Sequence, residues 1–440
     1  MLRRIGFFLL CFEFFFSSIF FGAGHTWGWS VLVVSSGILF CLYWFEKIRF
    51  CTPLEFPRSI YLFIAMFSLS LFLSYMNPGS FTPIHPYPVN RLSQVSIEWD
   101  FPACLNPYLA KLSLYEWIVP LVTFFVTPYF ISKDKERHRL LGCVIVMAAL
   151  QAFYGIAQHF SLEDPLPFFA PPYKEGAVGG TYLCRNSFAC FLAASVPLSL
   201  VFIFEWARRN SARYLWNDPK FLALLIGNIA IVLAVFLSLS RGGTLAVFLG
   251  IFFFVFLRTT QHKKVSWAQA CLYLFFMASF ATGYFLLIGM DPLLERFSKI
   301  GNAGRWEIWD SSFKILKDHW LFGIGGGSFF FAWEIYKPPL SGSYWYAHND
   351  YLQFLIEHGA IAATCLFAFF CSWGYRVRKN VHTLFSCGLI SSLCVFFTHS
   401  FVDFSLSIPG NRLLCAIFLA MLLDARPSNG SLEKVSATSC

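Results

Sequence analysis

Charge is scarce in this chain. Only 13% of its 440 residues are Asp, Glu, Lys or Arg, whereas 57% are hydrophobic and the mean hydropathy is +0.60. A soluble domain of this length cannot keep a wettable surface on so little charge, so the composition excludes a soluble or disordered protein and requires a bilayer. Compact metal-ligand spacings are missing too: no H-E-x-x-H occurs, and His348 and His358 stand well apart, so neither a metal nor a cofactor is expected. The fourteen cysteines form no C-x-x-C pair, and most lie in apolar runs where Cys acts as a small apolar residue. No internal repeat or low-complexity tract stands out.

What is present is a succession of apolar runs. A helix needs ~20 apolar residues to cross the hydrocarbon core, and lipid offers no partner to an unpaired backbone group, so each run is read as a helix. About twelve spans fit this length: residues 5–22, 27–45, 60–76, 112–131, 139–160, 184–206, 221–240, 243–258, 267–288, 352–373, 382–402 and 408–424. The expected fold is an all-α polytopic membrane protein with a large outer segment, 289–351, between the ninth and tenth spans. One membrane domain covers 1–425, and 426–440 is a short polar tail. The first span, after Arg3-Arg4, is read as an uncleaved anchor because Gly22-Ala23-Gly24 is a weak cleavage site.

The formal charge of +9 follows orientation rather than nucleic-acid binding. Alternate connections are basic: Lys47, Arg49 and Arg58; Lys133, Lys135, Arg137 and Arg139; Arg208, Arg209, Arg213 and Lys220; Arg258, Lys263 and Lys264; Arg376, Arg378 and Lys379. The opposite short connections carry almost none, which puts both termini inside. Cys104 and Cys184 then face the outer side, where the sequence leaves open whether they pair. Glu13 and Glu205, near or within spans, have no evident cationic partner.

Within the outer segment, Trp306, Trp309, Phe313, Leu316 and Trp320 recur at helical spacing, with Glu307, Asp310, Ser311, Lys314, Lys317 and Asp318 elsewhere on the turn. This reads as an amphipathic helix on the membrane surface. The following Gly323-Ile324-Gly325-Gly326-Gly327 is read as a flexible stop in preference to a phosphate cradle. The same topology sets Arg185, Arg241, Arg305, His348, His399 and Asp403 at or beyond the outer face. Arg241 joins two spans in Ser240-Arg241-Gly242-Gly243; it either snorkels to lipid phosphate or holds an anionic ligand. A guanidinium fork suits a diphosphate that must be stabilised as it leaves. His348 either takes a proton or merely caps the tenth span with Asn349 and Asp350. His399 and Asp403, four apart, are expected on one helix face, to shape a site or form a structural pair.

Several ordered stretches carry a resemblance. They are Gly180-Thr181-Tyr182-Leu183-Cys184-Arg185-Asn186, Ser240-Arg241-Gly242-Gly243, Gly304-Arg305-Trp306-Glu307-Ile308-Trp309, Lys317-Asp318-His319-Trp320-Leu321-Phe322-Gly323, and His348-Asn349-Asp350-Tyr351-Leu352-Gln353 followed by Glu357 and Gly359. Over residues 179–410 the chain resembles the bacterial O-antigen ligase and polymerase family. The resemblance implies a multi-pass enzyme of the bacterial inner membrane. Such an enzyme transfers a glycan from undecaprenyl diphosphate to an acceptor hydroxyl on the periplasmic face, without a metal. Its partners would be the lipid-linked glycan, lipid A-core or another glycan acceptor, and membrane lipids, with no nucleic acid. His348 would be the catalytic base, Arg241 and Arg305 would hold the diphosphate, and Arg185 is a further candidate for that role. Ligation to lipid A-core is the leading expectation. The alternatives are polymerisation from the same donor, protein O-glycosylation, and, from another class, a solute transporter, which should instead carry ionisable residues and helix interruptions at mid-membrane.

Overall fold

A computed structural model describes residues 2–50, 56–76, 104–160, 177–210, 212–261, 304–339, 341–378 and 383–423. Among the described residues, nine helices precede the outer segment: α1 (Leu2–Ile19), α2 (Thr26–Phe50), α3 (Arg58–Met76), α4 (Pro107–Phe130), α5 (Asp134–Phe160), α6 (Arg185–Arg209), the single turn α7 (Ala212–Leu215), α8 (Pro219–Leu237) and α9 (Arg241–Gln261). Then come α10 (Gly304–Asp318), α11 (Phe329–Tyr336), α12 (Asp350–Val377), α13 (Leu384–His399) and α14 (Pro409–Leu423). Among the described residues there is no strand, only one isolated bridge between Phe21 and Tyr182. Among the described residues eight helices (α2 to α6, α8, α9 and α12) are long and apolar enough to cross a membrane, and α13 and α14 are shorter apolar helices. The expected ninth span, 267–288, lies outside the described residues.

Local chemistry sets several helix starts. Asn106 accepts from the Leu109 N–H ahead of Pro107, Asp218 accepts from Lys220 N–H ahead of Pro219, and Thr383 accepts from Ser386 N–H. Each cap satisfies a donor that the helix itself cannot. α6 forms the centre of the bundle: Ser187–Val201 is buried continuously, with α5, α8, α9 and α13 packed around it. A helix apolar on all sides belongs in such a position. Glycines let neighbours approach it closely; a Cβ at Gly388 would stand 2.4 Å from Val201 Cγ2, and one at Gly250 would stand 3.2 Å from Pro197. Large apolar side chains such as Phe8, Ile48, Leu62, Phe252 and Phe367 project outward, as a lipid-facing surface requires.

The bundle has two distinct ends. At one, Gly410 N–H donates to Gly22 O (2.9 Å), Val178 N–H to Leu237 O (3.2 Å) and Ser74 Oγ to Glu357 O (2.9 Å). At the other, Arg376 Nη2 donates to Ser59 Oγ (2.9 Å), and His138 Nε2 lies 3.3 Å from Glu205 Oε2. The basic connections collect at this second end, with α9 finishing there and α10 beginning at the first. Glu205 thus finds a partner that its sequence context hides, His138, beside Arg209 one turn on at 3.8 Å. Glu13 is wholly buried and accepts from Ser35 and Ser36 instead of from a cation.

α12 is broken at Gly359, whose backbone is left-handed (φ 73°). The hydrogen bonds interrupted there are replaced by the segment after α10. Ala360 N–H donates to Trp320 O (2.8 Å), while Ile324 N–H and Gly325 N–H donate to Ile356 O (2.9 Å) and Glu357 O (3.0 Å). The glycine run is therefore a backbone-to-backbone clamp, which corrects the expected flexible stop. Glycine is required on both sides of it: a Cβ at Gly359 would meet Leu321 O at 2.3 Å, and one at Gly323, also left-handed, would meet the Glu357 carbonyl at 2.5 Å.

α10 differs from expectation as well. Ile308, Ser311, Ser312 and Ile315 are buried, with Ile308 and Ile315 in a second small core that includes Phe329, Trp333, Leu352 and Ile356. Trp306, Phe313 and Trp320 are exposed on the other side. Ser311 therefore leaves the polar face assigned to it, because α11 and α12 cover that side of the helix.

Candidate active site

Six elements meet at the first end of the bundle around Asp403. The Asp350 N–H donates to Ser400 O (2.9 Å), and its carboxylate accepts from Ser400 Oγ (2.8 Å), Leu406 N–H (2.8 Å), Ser407 N–H (3.1 Å) and Ser407 Oγ (2.7 Å). This single aspartate ties the start of α12 to the turn between α13 and α14. Asn349, not His348, caps α12, accepting from Leu352 N–H at 3.0 Å. Ala347 is fixed through its carbonyl by Trp309 Nε1–H (3.0 Å) and through its N–H by Gln353 Oε1 (2.9 Å). Between these anchors His348 adopts a left-handed backbone (φ 50°), an uncommon state for a non-glycine residue that the surrounding bonds enforce.

His348 thereby faces Asp403, with Nδ1 3.3 Å from Oδ1. The Asp403 side chain is 4% exposed and has further partners. Asn186 Nδ2 donates a short hydrogen bond to Oδ2, the Phe404 N–H donates to Oδ1 (2.9 Å), and Arg305 Nη2 stands 3.7 Å from Oδ2. Burial pushes the Asp403 carboxyl up, but the His348 hydrogen bond and the His399, His348 and Arg305 charges outweigh it, and its pKa falls below the ordinary carboxylate value. An ionised Asp403 places the His348 proton on Nδ1 and leaves Nε2 as the acceptor nitrogen. The expected pairing of His399 with Asp403 is corrected: α13 ends at His399, Asp403 lies in the turn beyond, and His399 Nδ1 pairs with Ser405 Oγ at 2.8 Å.

The three arginines begin helices that converge on this cluster. Arg185 opens α6, next to Asn186, which reaches Asp403. Arg241 opens α9, and a Cβ on the adjacent Gly242 would lie 3.1 Å from His399 Nε2. Arg305 sits in the first turn of α10 and is 42% exposed on its side chain. Two of these arginine-bearing helix N-termini reach Asp403, through Asn186 and Arg305, and the third lies against His399; backbone N–H groups at such termini favour an anion. Residues 226–367 match the family model described as O-antigen ligase. Over that stretch the chain is similar to the O-antigen ligase family. Among curated proteins, none matches the chain.

The matched O-antigen ligase region contains Arg241, Arg305 and His348, whereas Arg185, Asn186, His399 and Asp403 lie outside it. Sequence reasoning placed Asp403 near the site and missed its partner; it missed Asn186 as a ligand of Asp403 altogether. The signal for Asn186 was its place beside Arg185, one residue inside a helix start. Cys104 and Cys184 are both free: Cys104 is buried against Gly325, and Cys184 caps α6.

Proposed function

We propose that the chain transfers an O-antigen or related glycan from undecaprenyl diphosphate to an acceptor hydroxyl, most directly on lipid A-core, at the periplasmic face of the bacterial inner membrane. The observation that carries this reading is the His348–Asp403 pair with the arginine-bearing starts of α6 and α10 against Asp403 and that of α9 against the neighbouring His399. His348 Nε2 takes the proton from the acceptor hydroxyl as the oxygen attacks the anomeric carbon, and Asp403 stabilises the imidazolium that forms. Arg241 and Arg305, with Arg185 beside them, hold the departing diphosphate through fork-shaped, permanently charged donors. No metal is assigned a part. Both termini lie on the cytoplasmic side, where the basic connections collect, and 289–351 forms the periplasmic segment.

The broken helix α12 raises the transporter reading again, since interrupted helices line transport sites at mid-membrane. Its position argues otherwise. The stretch from Gly359 to Val377 spans ~27 Å at 1.5 Å per residue, close to the whole ~30 Å hydrocarbon core. The break therefore falls at the membrane edge, where the outer segment clamps it.

The test is the fate of the glycan when the gene is deleted in its host, with lipid-linked and lipopolysaccharide-linked chains analysed separately. Ligation is supported when long chains accumulate on the polyprenyl diphosphate and disappear from lipid A-core. Single repeat units that still reach the core would assign polymerisation instead, and an unchanged pattern of both pools would overturn transfer.

A further inference from the structure

Beside the His348 site lies a cavity of about 680 Å³ that the transfer chemistry does not use. One aromatic layer separates the two. Tyr346 lines the cavity and stacks on Phe404 (ring centroids 4.1 Å apart), whose ring lies 5.1 Å from that of His348. Neither His348, Asp403 nor any of the three arginines of the site lines it.

The cavity has two chemically different parts. Its larger part is walled by apolar side chains of α3, α4 and α12, Phe63, Phe124 and Phe370 among them. The smaller part holds Glu116, Arg412 and His358, and their hydrogen-bonding capacity is only partly used. Arg412 donates from Nε to Leu406 O (2.8 Å) and from Nη2 to Ser407 O (3.2 Å) and lies over the Trp117 ring at 4.7 Å; its Nη1 is 4.0 Å from Glu116 Oε2, beyond hydrogen-bond range. Among the described residues no hydrogen bond reaches the Glu116 carboxyl. His358 Nε2 accepts a long bond from Trp117 Nε1–H (3.4 Å), which puts the ring proton on Nδ1, and that buried Nδ1 has no partner among the described residues. His358 is buried, and a buried polar atom left open like its Nδ1 is rare in folded proteins unless a ligand or water completes it.

The charges choose between ligand classes. A simple anion would be repelled by Glu116 and a simple cation by Arg412, whereas a polyhydroxylated head can donate to the carboxylate and accept from the guanidinium and from His358 Nδ1–H. Because the break at Gly359 sets the membrane edge, Glu357 and His358 lie there and the apolar part lies deeper. The geometry points to the seat of the acceptor glycolipid: sugar head at Glu116, Arg412 and His358, hydrocarbon chain among the phenylalanines, one aromatic layer from the base. This assignment rests on the transfer reading, since it gives the second substrate of that reaction its own site.

The experiment is native mass spectrometry of the full-length protein in detergent. The probes are a rough-type lipopolysaccharide without O-chain, undecaprenyl diphosphate and phosphatidylglycerol. The wild type should bind the glycolipid and undecaprenyl diphosphate together. Ala363→Trp, which fills the cavity from α12, and Arg412→Gln, which removes the guanidinium from the head region, should each weaken glycolipid binding by about tenfold or more and leave undecaprenyl diphosphate bound as before. His348→Ala should retain both. Arg412→Gln keeps the test usable if the tryptophan variant fails to fold. Displacement of the glycolipid by undecaprenyl diphosphate, or selective loss of undecaprenyl diphosphate in Ala363→Trp, would make this the donor's chain pocket and overturn the proposal. Equal competition by phosphatidylglycerol would make it a general lipid niche and do the same. A wild type that binds the glycolipid at this site yet transfers nothing would leave the site standing and reject the transfer reading.

Discussion

At the scale of residues, His348 depends on Asp403 for its tautomer, so the two should fail in different ways. His348→Ala is expected to lower transfer by ~10²–10⁴-fold, the usual contribution of a general base, with insertion and folding intact; single-turnover assays with lipid-linked donor check this, and wild-type rates would reject the base. Asp403→Asn keeps the shape but no longer fixes the proton on Nδ1, so it should slow turnover with little change in donor affinity. The same carboxyl makes a pH prediction. Its folded pKa is depressed, so its contribution to stability is fully present above the ordinary carboxylate value of ~3.9 and is lost as pH falls through the lower folded value. The gap in unfolding temperature between the wild type and Asp403→Asn should be flat near neutrality and close only in that acidic window. Arg241→Lys should cost ~10-fold or more in transfer because a point charge cannot reproduce the fork on a diphosphate; full activity would return Arg241 to the role of a lipid-phosphate anchor.

The elements explain why these residues can act together. His348, Asn349 and Asp350 are adjacent in sequence yet do three separate jobs: facing Asp403, capping α12, and bolting the α13–α14 turn in place. The histidine and its motif were legible from the sequence. Its partner was not, because 55 residues separate His348 from Asp403 and no local periodicity links a loop to a turn. The clamp at Gly359 was equally hidden: a glycine run reads as flexible unless the backbone lying against it is known. Gly359→Leu should destabilise the fold by roughly 3 kcal/mol or more, from the left-handed backbone and the approach to Leu321 O. A lowered unfolding temperature in detergent, with loss of transfer, is the expected result; an unchanged protein would mean that the clamp is dispensable.

For the whole molecule, the sorting of basic connections to one end makes orientation measurable. In a cysteine-depleted background, His25→Cys at the site end should react with a membrane-impermeant maleimide in intact cells. Lys135→Cys at the basic end should react only after the inner membrane is opened. Labelling in the reverse order would place the site on the cytoplasmic side. Composition and charge order determined by themselves that the chain is a helical membrane protein, roughly where its helices run, and which motifs crowd one end, because hydrophobic length and backbone satisfaction in lipid are properties of contiguous sequence. The tertiary structure alone decided that Asp403 lies against His348, that glycines clamp a broken helix, and that a half-polar cavity lies one ring away. Those depend on which helix starts and turns are brought side by side, and packing sets that.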